Sequence, residues 1–310
     1  MNTEISPLVS IAVTTFNMEA FIAKGLDSWL AQKTSFPIEI VISDDGSEDK
    51  TRDIVQDYMK VHSNIRLVCT GHIGKMPNFI RSMQECRGKY VALCDGDDYW
   101  IDDYKLQKQF DFMESNPEFS MCFTNSWVLN LETGEKKIAK KQLWDTATTE
   151  GLLAHRDNDN VQMSPGHTST FFFRNGLVDK YPEWMYGDVM TDFPTYMLLS
   201  RYGKAKFINE ITSVYNHRLE GVSSKGWNPI TSTKRRIFVY ENVNRDFNYR
   251  YRRIIKPILA DYYWGLGKHI YKNRSKLESL VYFLKTFCYN PRIIFTYVLK
   301  KYLNHGRQDC

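Results

Sequence analysis

The sequence predicts an α/β fold: a mostly parallel central sheet flanked by helices, plus a C-terminal helical extension. Three observations carry this. Short apolar runs rich in β-branched residues alternate with amphipathic segments of helical period through the first hundred residues. The runs are apolar on both faces, as strands are when helices cover either side of a sheet. From about Gly226 the strand signals stop and the charge changes sign. Residues 1–225 carry 24 Lys or Arg and 31 Asp or Glu, whereas residues 226–310 carry 17 and 5. The chain therefore reads as two parts, an acidic α/β domain over 1–225 and a basic, aromatic-rich extension over 226–310.

The elements follow in order. Val9 to Thr15 (VSIAVTT) is the first strand. Residues 18–32 place Phe21, Ile22, Leu26, Trp29 and Leu30 on one helical face. Ile38 to Ser43 is the second strand. Residues 49–60 form a helix with Ile54, Val55, Tyr58 and Met59 inward, and Asp49 favours its start through the helix dipole. Ile65 to Cys69 is the third strand. A helix from about Pro77 turns Phe79, Ile80, Met83 and Cys86 to one side and ends at Gly88, before the strand Tyr90 to Cys94. After residue 115 the pattern becomes a hairpin, Phe119 to Leu131 and Lys136 to Ala139 around Glu132-Thr133-Gly134-Glu135. Its lysines, four between Lys136 and Lys141, read as a solvated face. Thr170 to Arg174 reads as a strand, residues 191–202 as a helix burying Phe193, Tyr196, Met197 and Leu199, and 205–216 as two short strands. The extension reads as helices broken at Pro257 and Pro291.

Composition bounds the class. With 310 residues, 43% apolar, 25% charged and a net charge of +5, the chain is globular, which excludes wholesale disorder. Its six cysteines form no C-x-x-C pair and no zinc spacing, so they read as reduced thiols. The N-terminal stretch lacks a basic n-region and a small-residue cleavage site, and no apolar run approaches the ~18 residues a membrane span needs. The expected location is cytoplasmic, with the inner face of the cytoplasmic membrane as a peripheral site.

The chemistry sits at strand ends. In open α/β sheets ligands bind beyond the carboxyl ends of the strands. Here the first strand ends in Thr14-Thr15-Phe16-Asn17, the second in Asp44-Asp45-Gly46-Ser47 and the fourth in Asp95-Gly96-Asp97-Asp98. Asp-Gly pairs are also ordinary turn chemistry. Five neighbouring aspartates nevertheless repel, and a divalent cation relieves that repulsion. Oxygen ligands suit Mg²⁺ or Mn²⁺, which can then bridge to a diphosphate.

SIAVTTFN, the helix ending in Gln32, VISDDGSEDKT, then Gly74, Asn78 and Gly88-Lys89-Tyr90, and finally YVALCDGDD resemble the successive motifs of glycosyltransferase family 2. The resemblance covers about residues 8–220. It implies the GT-A (nucleotide-diphospho-sugar transferase) fold and inverting transfer of a sugar from a nucleotide sugar. Thr14 and Phe16 match the wall of the base site, with Asn17 beside them. Asp45 matches the acid that bonds the base, usually uracil; Asp95 the acid near the ribose; Asp97 the main metal ligand, with Asp98 next to it. Phe16 stands where Tyr is usual, which keeps stacking and loses a hydroxyl contact. The implied cofactor is Mn²⁺ or Mg²⁺. The implied partners are a nucleotide sugar donor and a glycan or lipid-linked acceptor, in bacterial surface polysaccharide (capsule or O-antigen) assembly.

Transfer also needs a base for the acceptor hydroxyl. Asp192, just before an amphipathic helix, is the candidate, with a plain N-cap as its ordinary reading. The family commonly has two acids there, and Thr191-Asp192 lacks the first; Asp188 is the runner-up. His167, His217 and Arg218 are candidate diphosphate or acceptor contacts, and the sequence does not choose between the last two. The extension interleaves Arg and Lys with aromatic residues, as in Arg250 to Arg253, Tyr262-Tyr263-Trp264 and Arg292 to Leu303. With no nucleic-acid motif present, an anionic membrane surface is its candidate partner; a helical subdomain with solvated charges is the alternative. Other functions are a nucleotidyltransferase, which wants a Gly-rich basic loop after the first strand that Phe16-Asn17-Met18-Glu19 does not supply, and a non-catalytic nucleotide-sugar-binding or assembly subunit. A glycosidase pair needs no nucleotide site.

Overall fold

The computed structural model describes residues 6–139, 145–154, 165–189, 192–218 and 228–293. The chain divides into two compact units, 1–225 and 226–310. Residues 140–144, 155–164 and those beyond 293 lie outside the described ones.

The first unit holds β1 (Val9–Thr15), α1 (Ile22–Leu30), β2 (Ile38–Asp44), α2 (Thr51–Met59), β3 (Ile65–Cys69), α3 (Lys75–Gln84), β4 (Tyr90–Asp95), β5 (Tyr99–Trp100) and α4 (Lys105–Ser115). It continues with β6 (Phe119–Asn130), β7 (Lys136–Ile138), β8 (Thr146–Ala147), α5 (Thr149–Ala154), β9 (Phe171–Arg174), α6 (Asp192–Leu199) and β10 (Lys204–His217). The sheet runs β3-β2-β1-β4-β9-β6-β10-β5, with β7 beside β6 and β8 beside β10. β1 is parallel to β2 and β4, β2 to β3, and β6 to β10. β9 is antiparallel to both its neighbours. Val9, Ile11 and Val13 of β1, Ile40 and Ile42 of β2, and Leu26 and Trp29 of α1 belong to one buried cluster. Burying each such side chain stabilises by about 1.5–3 kcal/mol, so the apolar runs fix the layer order.

Register positions the site. Thr14 lies opposite Asp95 and Thr15 opposite Asp44, so β1, β2 and β4 end level with one another.

Two expectations are corrected. Residues 205–216 are not two strands but part of one, β10, whose pairing with β6 shifts between Phe207 and Ile211. A bulge absorbs the polar pair Asn209-Glu210 that breaks the alternation. In the second unit, α7 (Pro229–Asp246), α8 (Arg252–Asn273) and α9 (Lys276–Tyr289) follow one another, and α8 runs through Pro257. Pro257 falls near the helix start, so the carbonyl it leaves unbonded is that of Arg253, in the exposed first turn where water reaches it. The side chains of Asn228 and Ser275 cap α7 and α9.

Candidate functional site

The three polar strand ends interlock. Thr14 Oγ1 donates to Asp95 Oδ1 at 2.8 Å, and the Gly96 amide donates to the Thr14 carbonyl at 2.8 Å. A Cβ at Gly96 would sit 2.9 Å from the Thr15 side chain, so the acidic loop lies directly on β1. Asn17, at φ +53°, accepts from the Glu48 amide at 2.8 Å, while its own amide donates to Ser47 Oγ at 2.8 Å. Expected among the nucleotide contacts, its side chain braces the loops after β1 and β2.

Asp44 and Asp45 divide the labour. Asp44 accepts from the Gly46 and Ser47 amides at 3.1 and 2.8 Å, which is turn chemistry. Asp45 instead reaches the loop before α3: Oδ1 accepts from the Ile73 and Gly74 amides at 2.7 and 3.0 Å, and Oδ2 lies 3.1 Å from His72 Nδ1. Phe16 is 41% exposed beside it, its ring 5.4 Å from that of His72. An open aromatic face next to a carboxylate suits a planar base with a donor on its edge.

The acidic loop concentrates negative charge in a small volume. Desolvation, then the neighbouring Asp97, push Asp95 up to about 6, against the Thr14 hydroxyl and the Lys75 ammonium. Asp97 Oδ2 meets Arg218 Nη2 at 2.6 Å. That guanidinium also lies 4.8 Å from the Phe21 ring centre and 3.3 Å from Met18 Sδ. Asp98 was expected beside Asp97 on a metal. It is 2% exposed, its Oδ1 accepts from the Asn216 amide at 2.9 Å, and its Oδ2 has no hydrogen bond. It fastens β10 to the acidic loop, and burial with Asp97 and Asp95 nearby raises its pKa well above the carboxylate range. Asn216 Nδ2 bonds the Asp97 carbonyl at 2.5 Å and tightens the same joint.

Among the described residues, no group of three or more His, Cys, Asp or Glu is arranged to hold a metal. The donor set nevertheless fits a shared cation. Asp97 and Asp95 are hard carboxylates whose mutual repulsion a cation would offset, and the other ligand positions would fall to diphosphate oxygens and water.

Of the remaining expected residues, Arg218 is the one brought to the acids. His217 continues the β10 ladder opposite Asn130. His167 bonds Ser126 Oγ through Nδ1 at 2.7 Å and stacks on Tyr215 at 4.1 Å, so it is a packed side chain between β6 and β10. Asp192 opens α6 and accepts from the Phe193 amide at 2.8 Å; Asp188 is exposed in the loop before it. Two residues escaped the sequence reading, His72 and Lys75. Their signal was Gly71-His72-Ile73-Gly74-Lys75, two glycines at φ +92° and +95° framing a loop that ends in a cation.

Residues 10–176 match the family model described as "Glycosyl transferase family 2". An uncharacterized protein of Mycobacterium bovis is 38% identical over 117 residues, 37% of this chain and 34% of its own. TuaG of Bacillus subtilis, which is named for glycosyl transfer in teichuronic acid biosynthesis, is 38% identical over 113 residues, 36% of this chain and 44% of its own. The match thus spans about a third to under half of these relatives' length. Among solved structures, S. aureus TarS in complex with UDP-GlcNAc is similar at TM-score 0.63 and 19% identity, over 90% of this chain and 79% of that one. The mannosyltransferase PcManGT from Pyrobaculum calidifontis, in complex with GDP-Man and Mn²⁺, is similar at TM-score 0.54 and 16% identity, over 95% and 84%. Likeness at such identities concerns the fold.

Proposed function

The chain belongs to glycosyl transferase family 2, and we propose that it moves a sugar from a nucleotide sugar, with uridine diphosphate as leaving group, to a glycan or lipid-linked acceptor of a bacterial surface polysaccharide. The observation that carries this is the level ending of β1, β2 and β4, which gathers an open aromatic ring, the Asp45 carboxylate beside it and a charged acid–arginine pair on one edge. The name of TuaG supports the surface-glycan setting.

In this reading Phe16 stacks the base, and Asp45 bonds its edge once His72 yields Oδ2. Asp95, held by Thr14, bonds the ribose. Asp97 and Asp95 hold a divalent cation, Mn²⁺ or Mg²⁺, which when bound supplies Lewis-acid stabilisation of the leaving diphosphate. Arg218 and Lys75 add positive charge on the same side. Asp192 accepts the proton of the acceptor hydroxyl as its oxygen attacks the anomeric carbon. The bond from that carbon to the diphosphate oxygen breaks, so one displacement inverts the centre.

The test begins with a screen of nucleotide sugars for thermal stabilisation with and without Mn²⁺, followed by product analysis. Asp97→Asn and Asp192→Asn are expected to stay folded, and Asp192→Asn to lose about 10²–10⁴-fold in turnover. Undiminished turnover in Asp192→Asn removes it as the base. If no nucleotide sugar stabilises the protein, the reading fails at its first step.

A further inference from the structure

α9 carries its sequence inside out. Ser279 and Thr286 are buried, and each hydroxyl bonds a carbonyl of its own helix, of Lys276 and Tyr282. Phe283 packs between them on α8, 5.1 Å from the Trp264 ring and against Gly267, where even a Cβ would lie 2.8 Å away. The opposite side is apolar and open: Leu277 is 80% exposed, and Leu280, Val281, Leu284 and Phe287 between 51 and 58%. At 100° per residue these five occupy an arc of about 120°. Lys276 borders one edge; Lys285 borders the other, its ammonium 4.9 Å from the Tyr263 ring centre of α8, near enough the surface to swing to a phosphate. A soluble helix ordinarily turns such a stripe inward. Here the inward face is already packed, and among the described residues the stripe has no apolar cover.

We propose that this face of α9 lies in the interface of an anionic lipid surface. The argument is charge: the extension that bears the stripe carries 17 basic and 5 acidic residues, against an acidic remainder. An apolar stripe with lysines at its margins, on a strongly basic segment, is the pattern that sinks to headgroup depth while the ammonium groups meet lipid phosphates. At 14 residues α9 is too short to span, and among the described residues no helix is long and apolar enough to cross a membrane. The helix therefore lies flat. This docking does not depend on the sugar-transfer reading.

Co-sedimentation of the whole protein with phosphatidylcholine vesicles, with and without phosphatidylglycerol, tests it. Wild-type protein is expected to pellet with the anionic vesicles alone, and less at high salt. The double variant Leu280→Gln with Leu284→Gln is expected to keep the wild-type Tm, both side chains being exposed, and to bind ~10-fold less. The proposal is overturned if wild-type protein stays in the supernatant with anionic vesicles, or if the double variant binds as wild type does. It is equally overturned if wild-type protein is a dimer that the double variant splits and neither binds vesicles, since a second copy then covers the face. Nucleotide-sugar stabilisation, measured on both proteins, reports separately on the site in the first unit.

Discussion

Arg218 does for Asp97 what a cation would do. Its guanidinium has left bulk water for a slot between Phe21 and Met18, its Nε without a hydrogen bond, so the ion pair with Asp97 offsets a real desolvation cost. A divalent ion arriving at Asp97 must compete with that pair. Arg218→Gln is therefore expected to bind Mn²⁺ roughly tenfold more tightly without nucleotide, a difference of about 1.4 kcal/mol. The same variant is expected to bind nucleoside diphosphate more weakly, because a positive charge facing the phosphates is gone. Calorimetric titration reads both, and an unchanged Mn²⁺ affinity means the pair does not compete. His72 supports a second expectation. It touches Asp45 Oδ2 and stands beside Phe16, so His72→Ala frees the carboxylate while loosening the wall. Nucleotide affinity is expected to rise several-fold, on the order of 1 kcal/mol for the hydrogen bond that Asp45 no longer has to give up, and a weaker complex would mean that the wall His72 builds beside Phe16 counts for more.

At the level of elements, the acidic loop is placed by the far end of its own strand. Before β4, the Gly88 amide donates to Ser10 Oγ at 2.8 Å, Ser10 Oγ donates to Glu39 Oε1 at 2.6 Å, and Arg66 Nε meets Glu39 Oε2 at 3.2 Å. This buried chain sets β4 against β1 and β2. A Cβ on Gly88 would lie 2.6 Å from the Ser10 amide and 2.9 Å from the Tyr90 carbonyl, both backbone. Gly88→Ala is expected to cost about 1–3 kcal/mol, lowering Tm by roughly 2–4 °C per kcal/mol in a domain of this size. Nucleotide binding should weaken too, because the shift reaches Asp95 at the other end. The sequence showed Gly88 as a helix stop, yet α3 already ends at Gln84; the close approach that demands glycine is made by β1, which lies far off in the chain. The same distinction separates the readable from the unreadable elsewhere. Apolar runs and helical period depend on near neighbours, so β1 to β4 and their helices were legible, as was the polar meeting of Thr14 with Asp95 at the strand ends. Whether Asp98 faces a cation or an Asn216 amide depends on β10, more than a hundred residues away. The choice of Arg218 over His217 depends on the β10 register in the same way.

For the whole molecule, the buried ionisable groups set a pH window. Lys105 is buried with its ammonium 2.6 Å from Gln109 Oε1 and 4.3 Å from the Trp100 ring centre, and desolvation lowers its pKa to about 8. Its folded state sheds the proton before the unfolded chain does. The penalty is thus fully present below pH 8 and is relieved as pH rises toward 10.5, at about 1.4 kcal/mol per unit of displacement. The buried thiols act in the opposite sense. Desolvation pushes Cys122 up to about 12 and raises Cys86 and Cys94 too, so their stabilisation is intact below pH 9 and is lost as pH rises above it. The two effects overlap above pH 9, which leaves a narrow maximum. Urea unfolding measured from pH 7 to 10.5 is expected to show stability rising from pH 8 to about 9 and then falling. In Lys105→Met the rise should vanish while the fall remains, and at pH 7 the variant should be at least as stable as wild type, since a buried unpaired ammonium is replaced by an apolar chain of similar length. A rise that persists in Lys105→Met would place its source in another group and leave Lys105 with a charge already compensated.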